Sequence, residues 1–123
     1  MVSTPALESP TDVSTLEKLP DKLKLNEVEK LVREEFFDIP VLIEIARCES
    51  QYRQFNPDGS VLRGIINPLD VGVMQVNEHY HLEASEHLNI DIYTLKGNMD
   101  YSRVLYEQSG TTPWNASKEC WLV

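Results

Sequence analysis

The strictest constraint on the fold of this chain is a stripe of apolar positions that ends in a carboxylic acid. After Pro40, residues Leu42, Ile45, Ala46 and Glu49 stand at i, i+3, i+4 and i+7, a spacing that places all four on one face of a helix. Glu49 therefore points where the core-facing side chains point, whereas Glu44 falls on the opposite, solvated face. Apolar surroundings disfavour an ionised carboxylate, raise its pKa and keep a proton available near neutral pH. The alternative places Glu49 just past the stripe, solvated or paired with Arg47 or Arg53, and periodicity alone does not choose.

The rest of the chain is punctuated around that segment. Residues 1–24 hold Pro5, Pro10 and Pro20 among polar groups with few large apolar ones, which predicts a mobile lead-in to a single domain over 25–123. Asn26 followed by Glu29 has the form of a helix cap, and Val28, Leu31, Val32 and Phe36 recur at helical spacing, predicting a helix over roughly 27–37. Asp38-Ile39-Pro40 ends it and starts the next, over about 40–51, with Asp38 as a possible cap and Pro40 in the first turn. Asn56-Pro57-Asp58-Gly59 and Asn67-Pro68 bracket Val61 to Ile66, the pattern of a short hairpin or an irregular loop. Helical segments are expected near 73–77, 78–89 and 97–109, the last stopped by Gly110 to Pro113. The fold class is thus mainly α (α+β), with a small hairpin or irregular loop beside the helix that carries Glu49.

A chain of 123 residues supports one core and one cleft, since folding at this size removes roughly two-thirds of the accessible surface. The formal net charge of -9 argues against nucleic acid, which demands a basic face. No apolar run approaches the ~18 residues of a membrane span. The opening MVSTPALESP has neither the charged nor the apolar region of an export leader, as expected of a cytoplasmic protein or of one whose leader has been removed. The two cysteines, Cys48 and Cys120, are compatible with one disulfide or with two thiols. Two of the histidines, His79 and His81, project to different sides of a helix, and with His87 they lack the further Asp or Cys that would complete a shell. No metal and no cofactor are therefore expected.

Two motifs in order carry a family resemblance. Ala46-Arg47-Cys48-Glu49-Ser50-Gln51-Tyr52, followed after a turn-rich insert by Asp70-Val71-Gly72-Val73-Met74-Gln75-Val76-Asn77, resembles the Glu-Ser and Gly-Leu-Met-Gln-Ile-Asn motifs of the soluble lytic transglycosylase domain and its lysozyme-like relatives. Asn98, at the start of a later helix, matches the asparagine that opens a family helix. The resemblance covers about residues 40–121. It implies a lysozyme-like fold and cleavage of the β-1,4 bond between N-acetylmuramic acid and N-acetylglucosamine in peptidoglycan glycan strands. Glu49 matches the catalytic acid and base. Ser50 would orient the site or contact a sugar substituent, Gly72 would allow close backbone approach, Met74 would pack beneath the cleft, and Gln75 and Asn77 would offer polar contacts to substrate.

The resemblance also implies a periplasmic, cell-envelope or secreted protein, and with it a Cys48–Cys120 disulfide that pins the tail behind the catalytic helix. A monomer is the default expectation. The family's usual Ala-Tyr-Asn-Ala-Gly segment is absent, its nearest counterpart being Trp114-Asn115-Ala116-Ser117, where Trp114 either stacks on a sugar face or plugs the core. Asn115-Ala116-Ser117 also fits a glycosylation pattern, which carries little weight in the bacterial protein that the resemblance implies. Asp70 keeps a rival open, because Asp-x-Gly-x-x-Gln-x-Asn also resembles animal-type lysozymes, whose retaining hydrolysis employs a second carboxylate. A non-catalytic wall-binding module is the third reading. The acidic balance of the chain offers an anionic wall no long-range attraction.

Overall fold

A computed structural model describes residues 21–122 of the chain; of the lead-in expected over 1–24, residues 1–20 lie outside the described residues and 21–24 are helical. The first helix, α1, spans Asp21–Glu35, so it begins before the expected position and contains Asn26, which does not act as its cap. The four residues after Asp21 are lysines and leucines, strong helix formers that extend the element upstream. Val28 and Val32 are buried on its inner face, and Phe36, just past its end, is buried with them. Helix α2 spans Pro40–Ser50, with proline in its first turn and Ile39, not Asp38, at the cap position. Asp38 is instead engaged by Arg103, whose Nη1 donates to Oδ2 at 2.8 Å while Nη2 donates to the Glu35 carbonyl at 2.7 Å. One guanidinium thus ties a later helix to the α1–α2 corner.

Helix α2 stops because Gln51 adopts a left-handed conformation (φ 55°) and returns its N–H to the Arg47 carbonyl at 2.9 Å. An irregular segment follows, with a turn in which Asn56 N–H donates to the Ser60 carbonyl at 2.7 Å and with isolated antiparallel bridges at Phe55–Val61 and Arg63–Val71. The sheet proper is a two-stranded hairpin of β1, Asp70–Val71, and β2, Val76–Asn77, in antiparallel register with Asp70 opposite Asn77 and Val71 opposite Val76. A helix over 73–77 is therefore corrected: Gly72 (φ 79°) and Gln75 (φ 54°) are both left-handed and turn the chain back on itself, which no right-handed helix permits.

Helix α3, Glu78–His87, is capped by Asn77, whose side chain accepts from Tyr80 N–H. Helix α4, Leu95–Ser109, is capped by Thr94 and ends at Gly110. A 3-10 turn at Thr112–Ser117 leads into the short α5, Lys118–Trp121. The architecture is mainly helical around one core, in which Ile45, Val71, Met74, Leu95 and Trp114 meet residues of α1, α2 and α4, with the partly buried Leu82 of α3 packed against them. The Cys48–Cys120 disulfide, with Cα atoms 6.0 Å apart, joins α5 to the last turn of α2. Among the described residues no helix is long and apolar enough to cross a membrane.

Candidate functional site around Glu49

Glu49 occupies the last turn of α2, half-buried, where the 3-10 turn and α5 close over it. Its Oε2 accepts a hydrogen bond from Ser117 Oγ at 2.7 Å. Burial raises the pKa of its carboxyl group above the ordinary value; the Ser117 hydrogen bond opposes the shift, and the charge of Asp70 adds to it. Glu44 on the same helix behaves differently, pairing with Arg47 at 3.0 Å with both side chains close to half exposed. That pair removes Arg47 as a partner for Glu49, and among the described residues no cation lies within salt-bridge distance of it. A half-buried carboxyl without a counter-charge holds its proton to higher pH than a surface glutamate, which suits general acid chemistry.

Three side chains deliver the hairpin to this helix end. Ser50 Oγ donates to the Val73 carbonyl at 2.7 Å and accepts from Arg53 N–H at 3.1 Å. With its hydroxyl so occupied and only 7% of its surface exposed, Ser50 is not placed to contact a sugar; it clamps α2 to the turn between β1 and β2. Gln54 accepts from Val73 N–H at 2.8 Å and donates to the Tyr93 carbonyl at 3.1 Å. Asn98 accepts from Met74 N–H at 2.8 Å and donates to the carbonyls of Val71 and Ile92 at 2.9 and 2.8 Å. Both amides press on Gly72, where an added Cβ would overlap Asn98 and lie 2.8 Å from Gln54 Nε2. The close approach expected at Gly72 is thus an approach to side-chain amides within the fold.

Gln75 is half-buried and spends its Nε2 on the Gly72 carbonyl at 2.9 Å. Asn77 is half-buried; its Nδ2 donates to Asp70 Oδ1 at 3.0 Å and its Oδ1 caps α3. Asn77 thus holds the Asp70 carboxylate beside the turn. Trp114 is corrected more sharply. It is 3% exposed, with its indole N–H donating to the Met74 carbonyl at 2.8 Å, so no face is open for stacking and the core-plug alternative holds. Met74 is wholly buried beneath the turn.

Ser117 and Gln54 were not identified from the sequence as parts of this constellation. Ser117 stood in plain view beside Trp114 as the counterpart of a family segment, but only the fold of the tail, held by Cys120, reveals its distance to Glu49. Gln54 lies beyond the helix in an irregular stretch, where no periodicity marks burial. His81 is half-buried beside Tyr101, Nδ1 to Oη 3.3 Å, and burial lowers its pKa; Tyr80 is exposed and Tyr101 is core. Among the described residues no three His, Cys, Asp or Glu side chains gather to hold a metal. A surface depression lined by Asn26, Glu29, Arg33 and Phe37 belongs to α1 and its following turn and shares no residue with the Glu49 constellation. Comparison of the chain with protein-family models, curated proteins and solved structures gave no match.

Proposed function

We propose that this protein is a lysozyme-like lytic transglycosylase that cleaves the β-1,4 bond between N-acetylmuramic acid and N-acetylglucosamine in peptidoglycan. The observation that carries the reading is Glu49 itself: a half-buried acid with a raised pKa, at the end of a helix clamped through Ser50 to the Val73 carbonyl of the Gly72–Gln75 turn. In the forward step the protonated Glu49 gives its proton to the glycosidic oxygen as the C1–O bond breaks and positive charge develops at C1. The resulting carboxylate then takes the proton of the muramic acid's own 6-hydroxyl as that oxygen bonds to C1, yielding a 1,6-anhydro end and restoring the acid. One carboxyl group serves both halves, so no second catalytic carboxylate is required. Gln75 and Asn77, both half-buried at the hairpin, are the candidates for polar contact with the sugar.

Asp70 favours a second reading, hydrolysis by a muramidase. Its charge acts on Glu49 and Asn77 holds its carboxylate in place, as a second acid in retaining hydrolysis would demand. The disulfide supports residence in an oxidising compartment, periplasmic, cell-envelope or secreted, and a monomer suffices for the chemistry. Digestion of purified sacculi followed by product mass analysis separates the readings. Anhydro-muropeptides support the transglycosylase, reducing ends lighter by no water support the hydrolase, and binding without release of fragments identifies a non-catalytic wall-binding module.

A further inference from the structure

We infer that Ser117 is a positioning residue that satisfies Glu49 in both of its protonation states, through a three-way hydrogen-bond junction built by the C-terminal turn. The inference rests on the acid/base role proposed for Glu49. Ser117 Oγ has three polar neighbours: Glu49 Oε2 at 2.7 Å, the Trp114 carbonyl at 3.2 Å and Trp121 Nε1 at 3.0 Å. An indole nitrogen only donates, so Trp121 permanently fills one lone pair of the hydroxyl. That leaves one hydrogen and one lone pair. When Glu49 is ionised it only accepts, and the hydrogen goes to Oε2. When Glu49 is protonated on Oε2, the carboxyl O–H donates into the remaining lone pair, and the Ser117 hydrogen turns to the Trp114 carbonyl.

Every donor has an acceptor in both states, and the switch is a rotation about one C–O bond. A group that must be acid in one half-reaction and base in the next is thereby held in one place with no heavy-atom rearrangement. The junction thus meets Glu49 at the same oxygen, Oε2, in both states. Its parts are fixed: Trp114 and Trp121 are 3% and 7% exposed, and Cys120, next to Trp121, is bonded to Cys48, next to Glu49. The charged groups around Glu49 leave this role to the hydroxyl. Arg47 on α2 is paired with Glu44, Arg53 beyond the helix and Lys118 and Glu119 on α5 are exposed, and Asp70 of β1 pushes the acid toward its protonated form.

The test is titration of the Glu49 carboxyl by carbon-13 NMR in the wild type, S117A and S117T, with wall-cleaving rates measured on the same samples across pH. Removing the hydroxyl moves the Glu49 midpoint upward, because the charge-assisted hydrogen bond lost by the carboxylate is stronger than the neutral one lost by the acid, and S117T restores it. Turnover falls roughly ten- to hundred-fold in S117A, the value of one hydrogen bond to a charged group, and recovers in S117T. A Glu49 midpoint in S117A that coincides with the wild type overturns the inference, as does an S117T protein that titrates like S117A. The titration reads the junction without turnover, so a wild type inactive on peptidoglycan would sink the proposed activity and leave the junction to be judged by its midpoints alone.

Discussion

Replacing Gly72 by alanine tests the packing that brings the hairpin to Glu49. The backbone there is left-handed (φ 79°), which costs an alanine about 1–2 kcal/mol. The new Cβ also overlaps the Asn98 side chain, with Cγ at 2.7 Å, and lies 2.8 Å from Gln54 Nε2. Those amides carry the hydrogen bonds of Val71, Val73, Met74, Ile92 and Tyr93, so moving either one strands at least one buried backbone group, worth about 1–3 kcal/mol. The two contributions together predict a loss of roughly 2–5 kcal/mol, a large share of the 5–15 kcal/mol typical of a domain. Gly59 supplies the control: it too is left-handed (φ 92°), but an added Cβ would meet nothing within 4 Å, so G59A should lose the backbone part alone. Urea unfolding of the two variants beside the wild type reads the difference directly. Equal losses in G72A and G59A would refute the close approach of Asn98 and Gln54 to the turn.

Three further outcomes follow from the same structure. Replacing both cysteines by alanine opens a cross-link between residues 72 apart and should cost about 2–4 kcal/mol of stability, measured by thermal melting with and without reductant; identical melts would contradict it. Trp114→Phe keeps one aromatic ring but removes the indole N–H that occupies the Met74 carbonyl and leaves a void, for a loss of at least about 1–3 kcal/mol in chemical denaturation, and an unchanged midpoint would argue against that bond. Because burial raises the Glu49 pKa in the folded state, the folded chain binds more protons than the unfolded one above the ordinary carboxylate pKa, so this group's contribution is intact below that value and lost as pH rises toward the folded pKa. Glu49→Gln should accordingly melt higher than the wild type near neutral pH, with the gap closing in acid; a gap that widens in acid would reverse the sign of the shift.

What the sequence revealed, and what it hid, divides by the range of the interactions involved. The stripe Leu42, Ile45, Ala46 and Glu49, the proline at the start of α2 and the glycine at the end of α4 are local signals, readable from spacing and from backbone preference. The segment 73–77 misled because its conformation is set from outside: Gln54 and Asn98, 19 and 24 residues from the N–H groups they accept, hold the turn against any helical tendency. Trp114 and Ser117 were visible but uninterpretable for the same reason. Whether an aromatic ring faces a cleft or a core, and whether a hydroxyl meets a carboxylate 68 residues away, depends on how the tail docks. The cysteine pair hinted at that docking without fixing what it would bring together.

The role of Glu49 is read most directly from the rate at which purified sacculi lose soluble fragments to the wild type and to E49Q under identical conditions. Proton transfer of this kind contributes at least about 10²-fold, so the glutamine variant, folded and at least as stable near neutral pH, should release fragments more than a hundredfold more slowly. A glutamine variant that digests the wall at a rate close to the wild type would contradict the assignment of residue 49 as the proton donor and acceptor.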